Sequence, residues 1–237
     1  MRRPTDRAIW APIIAGVAGL AWVWLELTPP RLGFDDTDSP EVSLRFLRDH
    51  AEVWAGAGVA LFILAAALIV TVVVLEERLG TVSGRVAVRS VSTVGLVSAA
   101  CLFLNGVLRF SAQPILDIDE LDPDWGEAAY VAVQMGGVHG VGQGGVFGLC
   151  AWAVGVSALA WRARLIPIWL GLLAIVPAFR LGGLLIAPFL SLPDATWILA
   201  IAAIPVTLAW LILLGIVLSR APRPGRVAPS GSPVGRP

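Results

Sequence analysis

Long apolar runs alternate along the chain with short clusters of charge, proline and glycine. A membrane-crossing helix needs about 20 mostly apolar residues. Six runs qualify: Ile9–Thr28, Ala51–Leu75, Val86–Phe110, Ala129–Trp161, Leu165–Leu190 and Thr196–Leu218. Strands of a membrane barrel would be about half as long and would alternate in polarity. The pattern predicts an all-α, polytopic membrane protein with six transmembrane helices in residues 1–218. Residues 219–237, rich in Arg, Pro and Gly and free of acids, read as a disordered cytoplasmic tail with affinity for anionic lipid.

The first run follows Arg2, Arg3 and Arg7 but lacks a small-x-small cleavage site, so it reads as a retained anchor. Before the second run, Ser39-Pro40 has the form of an N-cap and first helical position. Glu41/Arg45, Arg45/Asp49 and Arg48/Glu52 follow at i,i+4 spacing, so the second helix is expected to begin outside the membrane. The fourth begins near Trp125 and runs to Arg162, about 55 Å of α-helix against a hydrocarbon core of about 30 Å. It must project or break, and the glycine run Met135–Gly145 is the expected place for a break. Within that run Gly136, Gly140, Gly144 and Gly148 share one α-helical face, a glycine zipper for close packing against another helix.

Composition adds class. The chain is 57% hydrophobic and 14% charged, too apolar for an ordinary cytosolic enzyme, a basic nucleic-acid binder or a disordered protein. Its charge sums to zero, yet the segments divide. The N-terminus, the 76–89 loop, the 162–164 turn and the tail carry a net of +9, and everything else carries −9. By the positive-inside rule both termini are cytoplasmic and three loops face outward. All 17 basic residues are Arg, which suggests a GC-rich bacterial genome and placement in the inner membrane.

Polar residues within spans carry the candidate chemistry, because burying them in lipid is costly. Measured along each helix from its nearest cytoplasmic Arg, Glu26 lies roughly 28 Å deep, Asn105 and Arg109 roughly 24 and 30 Å, and Arg180 roughly 24 Å. Gln143 and His139 lie roughly 28 and 34 Å deep. All six fall at the outer level, so they are expected to form an outward-facing polar pocket. Pro177 and Pro205 lie roughly 20 and 23 Å deep, where a pair of kinks would widen that end. The simpler alternative pairs Glu26 with Arg109 or Arg180 as a helix-to-helix tie.

Other motifs are weaker. Asp35-Asp36-Thr37-Asp38 lacks the Gly and terminal Glu of a calcium loop and reads as a solvated turn, so no metal is expected. The acidic loop 111–128 reads as solvated and as a topology signal. Cys101 and Cys150 share a depth but form no CxxC, and read as small buried hydrophobes. The separation of His50 from His139 argues against a haem, and no cofactor is expected. Most of the ten Trp, including Trp22 and Trp54, suit the interfacial belts; Trp152 and Trp210 are deeper.

The stretch from Gly144 to Gly171, with Leu165, Pro167, Trp169, Leu170 and Gly171 after a basic turn, resembles a family of six-helix bacterial membrane proteins of unknown function. That resemblance implies fold and topology and carries no activity. The leading expectation is therefore a protein without catalytic activity that binds or passes a small or lipidic molecule. A second is a structural subunit docking a partner membrane protein, or a second copy, through the glycine face. A third is a lipid-acting enzyme with His139 and Glu26 as acid/base groups. The lipid bilayer is the expected partner in each case, and nucleic acid is not expected.

Overall fold

The computed structural model describes residues 8, 10–33, 39–116, 123–190 and 193–220. Asp35–Asp38, residues 117–122 of the acidic loop and the tail beyond Arg220 lie outside the described residues. Among the described residues the regular structure is entirely helical: α1 (Ala11–Glu26), α2 (Thr28–Arg31), α3 (Pro40–Asp49), α4 (Ala51–Leu79) and α5 (Arg85–Leu116). These are followed by α6 (Pro123–Ala132), a π-helix (Val133–Gly142), α7 (Gln143–Arg162), α8 (Ile168–Leu173), α9 (Ile175–Leu190) and α10 (Pro193–Arg220).

Five continuous stretches are long and apolar enough to cross a membrane: Ala11–Arg31, Ala51–Leu79, Arg85–Ser111, Trp125–Arg162 and Ala202–Arg220. The expected fifth span differs. It is divided at Ala174, and its described apolar portion, Ile168–Gly183, is shorter. Pro177 explains the division. A mid-helix proline would remove a hydrogen bond and strike the carbonyl four residues back. As the third residue of α9 its missing N–H would have had no partner anyway. The expected kink is thus a helix start, and Arg180 stands one turn beyond it.

Two other expectations are corrected. The second membrane helix does not begin outside as one rod. His50 (φ −130°, ψ 37°) separates the amphipathic α3 from α4. Ser39 does cap α3, its Oγ accepting from the Val42 N–H at 3.4 Å. The glycine run in the fourth span neither breaks nor stays α-helical. It widens into ten residues of π-helix, in which glycine imposes no side chain on the crowded turns.

The long elements form a closed ring. α1 packs on α4, α4 on α5, α5 on α7, α7 on α9, α9 on α10, and α10 again on α1. The shared interior is apolar: Leu61, Leu64, Leu68, Leu208, Leu211, Trp152 and Trp210 are each at most 1% exposed. The two deep indoles meet edge to face at 6.0 Å, and Trp210 donates to the Leu170 carbonyl at 3.2 Å. That bond gives a structural role to the Leu165–Gly171 motif, whose Pro167 precedes α8 and whose Leu170 is fully buried. Cys150 lies in this core near the Thr207 hydroxyl at 3.8 Å, and both cysteines are free thiols.

Glycines set the helix separations. On α5 and the fourth span the contacting pairs are Gly137 with Leu108, Gly142 with Asn105, Gly145 with Leu102, Gly148 with Ser98 and Gly155 with Val91. The expected face of Gly136, Gly140, Gly144 and Gly148 therefore meets another described helix of this chain at Gly148 alone. Only Gly148 belongs to both sets, whereas Gly136, Gly140 and Gly144 are exposed. A four-residue step assumes 3.6 residues per turn, and the π segment has more. Gly145→Ala should cost about 1–3 kcal/mol, because its Cβ would stand 3.0 Å from the Leu102 side chain and 3.1 Å from the Leu102 nitrogen. Gly144→Ala, with nothing within 4 Å among the described residues, should be neutral or stabilising. Denaturation of both variants in the same micelle compares the two faces directly.

Candidate functional site

At the end of the bundle where α1 passes into α2, the ring opens into a cavity of about 380 Å³. Glu26, Asn105, Arg109, His139 and Gln143 all line it, so five of the six polar residues expected to share a depth share this space. Arg180 does not line it. It stands behind Gln143 and donates from Nη2 to Gln143 Oε1 at 3.0 Å.

The centre of the site is Arg109. It is 1% exposed, on α5, one turn beyond Asn105. A guanidinium this deep is tolerated only if its charge and its donors are answered. Glu26 on α1 forms an ion pair with Nη2. Asn105 Oδ1 accepts from Nε at 3.2 Å. The Trp54 ring on α4 covers the cation, with Cζ 4.4 Å from the ring centroid. Three helices are thus tied together by one side chain. Glu26, whose side chain is 32% exposed, also accepts from Trp22 Nε1 at 2.8 Å. The pocket reading and the tie reading describe the same residues: Glu26 pairs with Arg109, and the pair forms part of the cavity wall.

Close backbone approach brings these groups into reach. Gly58 on α4 faces Gly106 on α5, where a Cβ on Gly106 would be 2.9 Å from the Gly58 carbonyl. That crossing is one helical turn from both Trp54 and Arg109, which brings the ring over the guanidinium.

The remaining wall is largely apolar and aromatic. Trp22, Phe46, Leu47, Trp54, Tyr130, Val146 and Ile204 contribute to it. Phe46 and Leu47 come from α3, so this amphipathic helix folds over the cavity and seats Leu44 and Leu47 against Trp54, Tyr130 and Val133. Ile204 precedes Pro205, the proline inside α10 that was expected to widen this level. A second space of about 20 Å³ shares Glu26, Trp54 and Arg109 with this cavity, is bounded also by His50, and is large enough for one water.

Several wall residues escape a sequence reading. Trp22 and Trp54 look like belt residues, but they are 7% and 9% exposed and serve Glu26 and Arg109. The i,i+4 spacing of Trp22 and Glu26 was the available signal for the first. Gln134 lies about 42 Å from Arg162 on an α-helical ruler, beyond the membrane core. The π-helix climbs less per residue and draws it into the wall.

A family model described as a domain of unknown function, DUF4386, matches residues 11–220. No curated protein and no solved structure is detectably similar to the chain.

Proposed function

We propose that this chain, which belongs to the DUF4386 family, binds or passes a small or lipidic molecule through the cavity around Arg109. The supporting observation is the cavity itself. About 380 Å³ falls within the usual range for small-molecule sites, with aromatic walls and a few converging polar groups. The division of polarity agrees: the opposite half of the bundle is packed with Leu, Ala and Trp.

The reading includes a topology. The chain crosses a bacterial inner membrane six times, with Ile168–Leu190 as the divided span. The Arg-rich ends and loops lie in the cytoplasm, and the cavity opens outward. A second reading, a subunit that docks a partner membrane protein, draws support from Gly136, Gly140 and Gly144, which stand exposed along the π-helix and α7. An enzyme with Glu26 as acid/base has less support, since that carboxylate is engaged by Arg109 and Trp22.

Gentle purification followed by native mass spectrometry tests the proposal. A co-purifying small molecule is expected with the wild type and should be depleted in Ile204→Trp, which fills the cavity from α10. Far-UV circular dichroism and the unfolding midpoint verify that the variant is folded. A ligand-free monomer from the wild type, or equal recovery from the folded variant, would overturn the reading. A co-purifying protein lost in Gly140→Leu would favour the subunit.

A further inference from the structure

We infer that the cavity selects an uncharged amphiphile, with an apolar body and a head carrying both a carbonyl and a hydroxyl group. This deepens the cavity-binding reading and rests on it.

The charges come first. Among the described lining residues, the formally charged side chains are Glu26 and Arg109, and they answer one another. Arg109 is further engaged by Asn105 and covered by Trp54. An anionic ligand would have to displace Glu26 from Arg109, and a cationic one would have to displace Arg109 from Glu26. The cation would leave the buried Arg109 without its counter-charge, at heavy cost, and the anion would have to compete with a carboxylate that Trp22 also holds in place. A neutral ligand leaves the pair intact.

The hydrogen-bonding groups come second. Two buried polar atoms on lining residues have no partner among the described residues: Trp54 Nε1 and Gln134 Oε1. Buried polar atoms are nearly always satisfied, so each such group calls for a partner from outside the chain. The indole N–H can only donate, and so needs an acceptor such as a carbonyl. The amide oxygen needs a donor such as a hydroxyl. Trp54 belongs to α4 and Gln134 to the π-helix, so a single head group would bridge two elements of the wall.

The body comes third. Trp22, Phe46, Leu47, Val146 and Ile204 form most of the remaining surface. Filling the space with water would wet these side chains. An alkyl or ring body removes them from water as the head group binds.

A matched set of eight-carbon probes separates the possibilities: 1-octanoylglycerol, octanoate and octyltrimethylammonium. Each is titrated calorimetrically into the full-length protein in phosphatidylcholine nanodiscs, with empty nanodiscs subtracted. Octanoylglycerol is expected to bind at least tenfold more tightly than either ion. Gln134→Leu and Trp54→Phe, the latter keeping a ring over Arg109, should each weaken it about fivefold, the equivalent of one hydrogen bond. Octanoate or octyltrimethylammonium binding as well as the neutral probe would overturn the charge selection while leaving a binding cavity in place. Neutral-probe binding unchanged in both variants, with their folds intact, would overturn the bridging head group. Failure of all three probes would remove this inference, while the co-purification result independently decides the cavity reading.

Discussion

Glu26→Gln destabilises the protein by on the order of 3 kcal/mol, and by more than Arg109→Met does. The asymmetry follows from unequal burial. Arg109 is 1% exposed, so neutralising its partner leaves a guanidinium in the interior with no counter-charge. The Glu26 side chain is 32% exposed, and when Arg109 is replaced it can recover water from the cavity while keeping the Trp22 hydrogen bond. Glutamine preserves the shape and an acceptor for Trp22, so the loss reports on charge. Methionine roughly fills the arginine stem, and its cost comprises the stacking on Trp54 and some packing. The double variant should recover much of the Glu26→Gln loss, because no unpaired charge remains. Unfolding in mixed micelles with increasing SDS, followed by far-UV circular dichroism, measures all three. A larger loss for Arg109→Met than for Glu26→Gln would mean that packing, and not charge compensation, dominates at this site.

Gly106→Val has the other large effect. Its Cβ would lie 2.9 Å from the Gly58 carbonyl and 3.2 Å from the Phe62 ring. The phenyl ring can turn, but a backbone carbonyl within a helix moves only with the helix. The two helices must separate, at about 3 kcal/mol, the upper end for overpacking of a tight core. The separation also takes Trp54 off Arg109, so octanoylglycerol binding should fall at least tenfold in whatever protein remains folded. Gly56→Ala, two residues before Gly58, is the control. Its Cβ would meet only the two Leu25 methyls, at 3.4 and 3.8 Å, and its unfolding midpoint should be nearly unchanged. If Gly106→Val and Gly56→Ala behave alike in unfolding and in binding, the crossing does not position the site.

Much of this is legible in the sequence. Run lengths predicted the helices, because lipid leaves the backbone few alternatives. Depth along each helix grouped Glu26, Asn105, Arg109, His139 and Gln143, because a helix has a fixed rise and membrane spans run nearly side by side. Depth says nothing about azimuth, and there the reading fell short. Arg180 has the right level but approaches from behind Gln143. Gly136, Gly140 and Gly144 meet no other helix of this chain among the described residues, since a four-residue step does not keep one face through the π turn. Gln134 is hidden by depth and not by azimuth, because an α-helical ruler overstates the rise of a π-helix. The role of α3 was also hidden. Its amphipathic pattern was visible, but His50, which separates it from α4, carries no proline or glycine to mark the joint.

The ring is closed by contact between its first and last long helices. Gly16 meets the Leu208 carbonyl and Ile212, Gly19 meets Leu208, and Gly215 meets Ile13. These partners lie nearly a whole chain apart in sequence. During synthesis α1 enters the bilayer long before α10 exists, so its small-residue face rests against lipid or another protein until the final helix arrives. The last helix to be made also carries Ile204, part of the cavity wall. A nascent chain arrested before α10 would hold Glu26, Trp54 and Arg109 on helices already made, yet have a cavity open on one side to the bilayer. Biogenesis, and not only the finished architecture, therefore determines when the polar interior is first sealed from lipid.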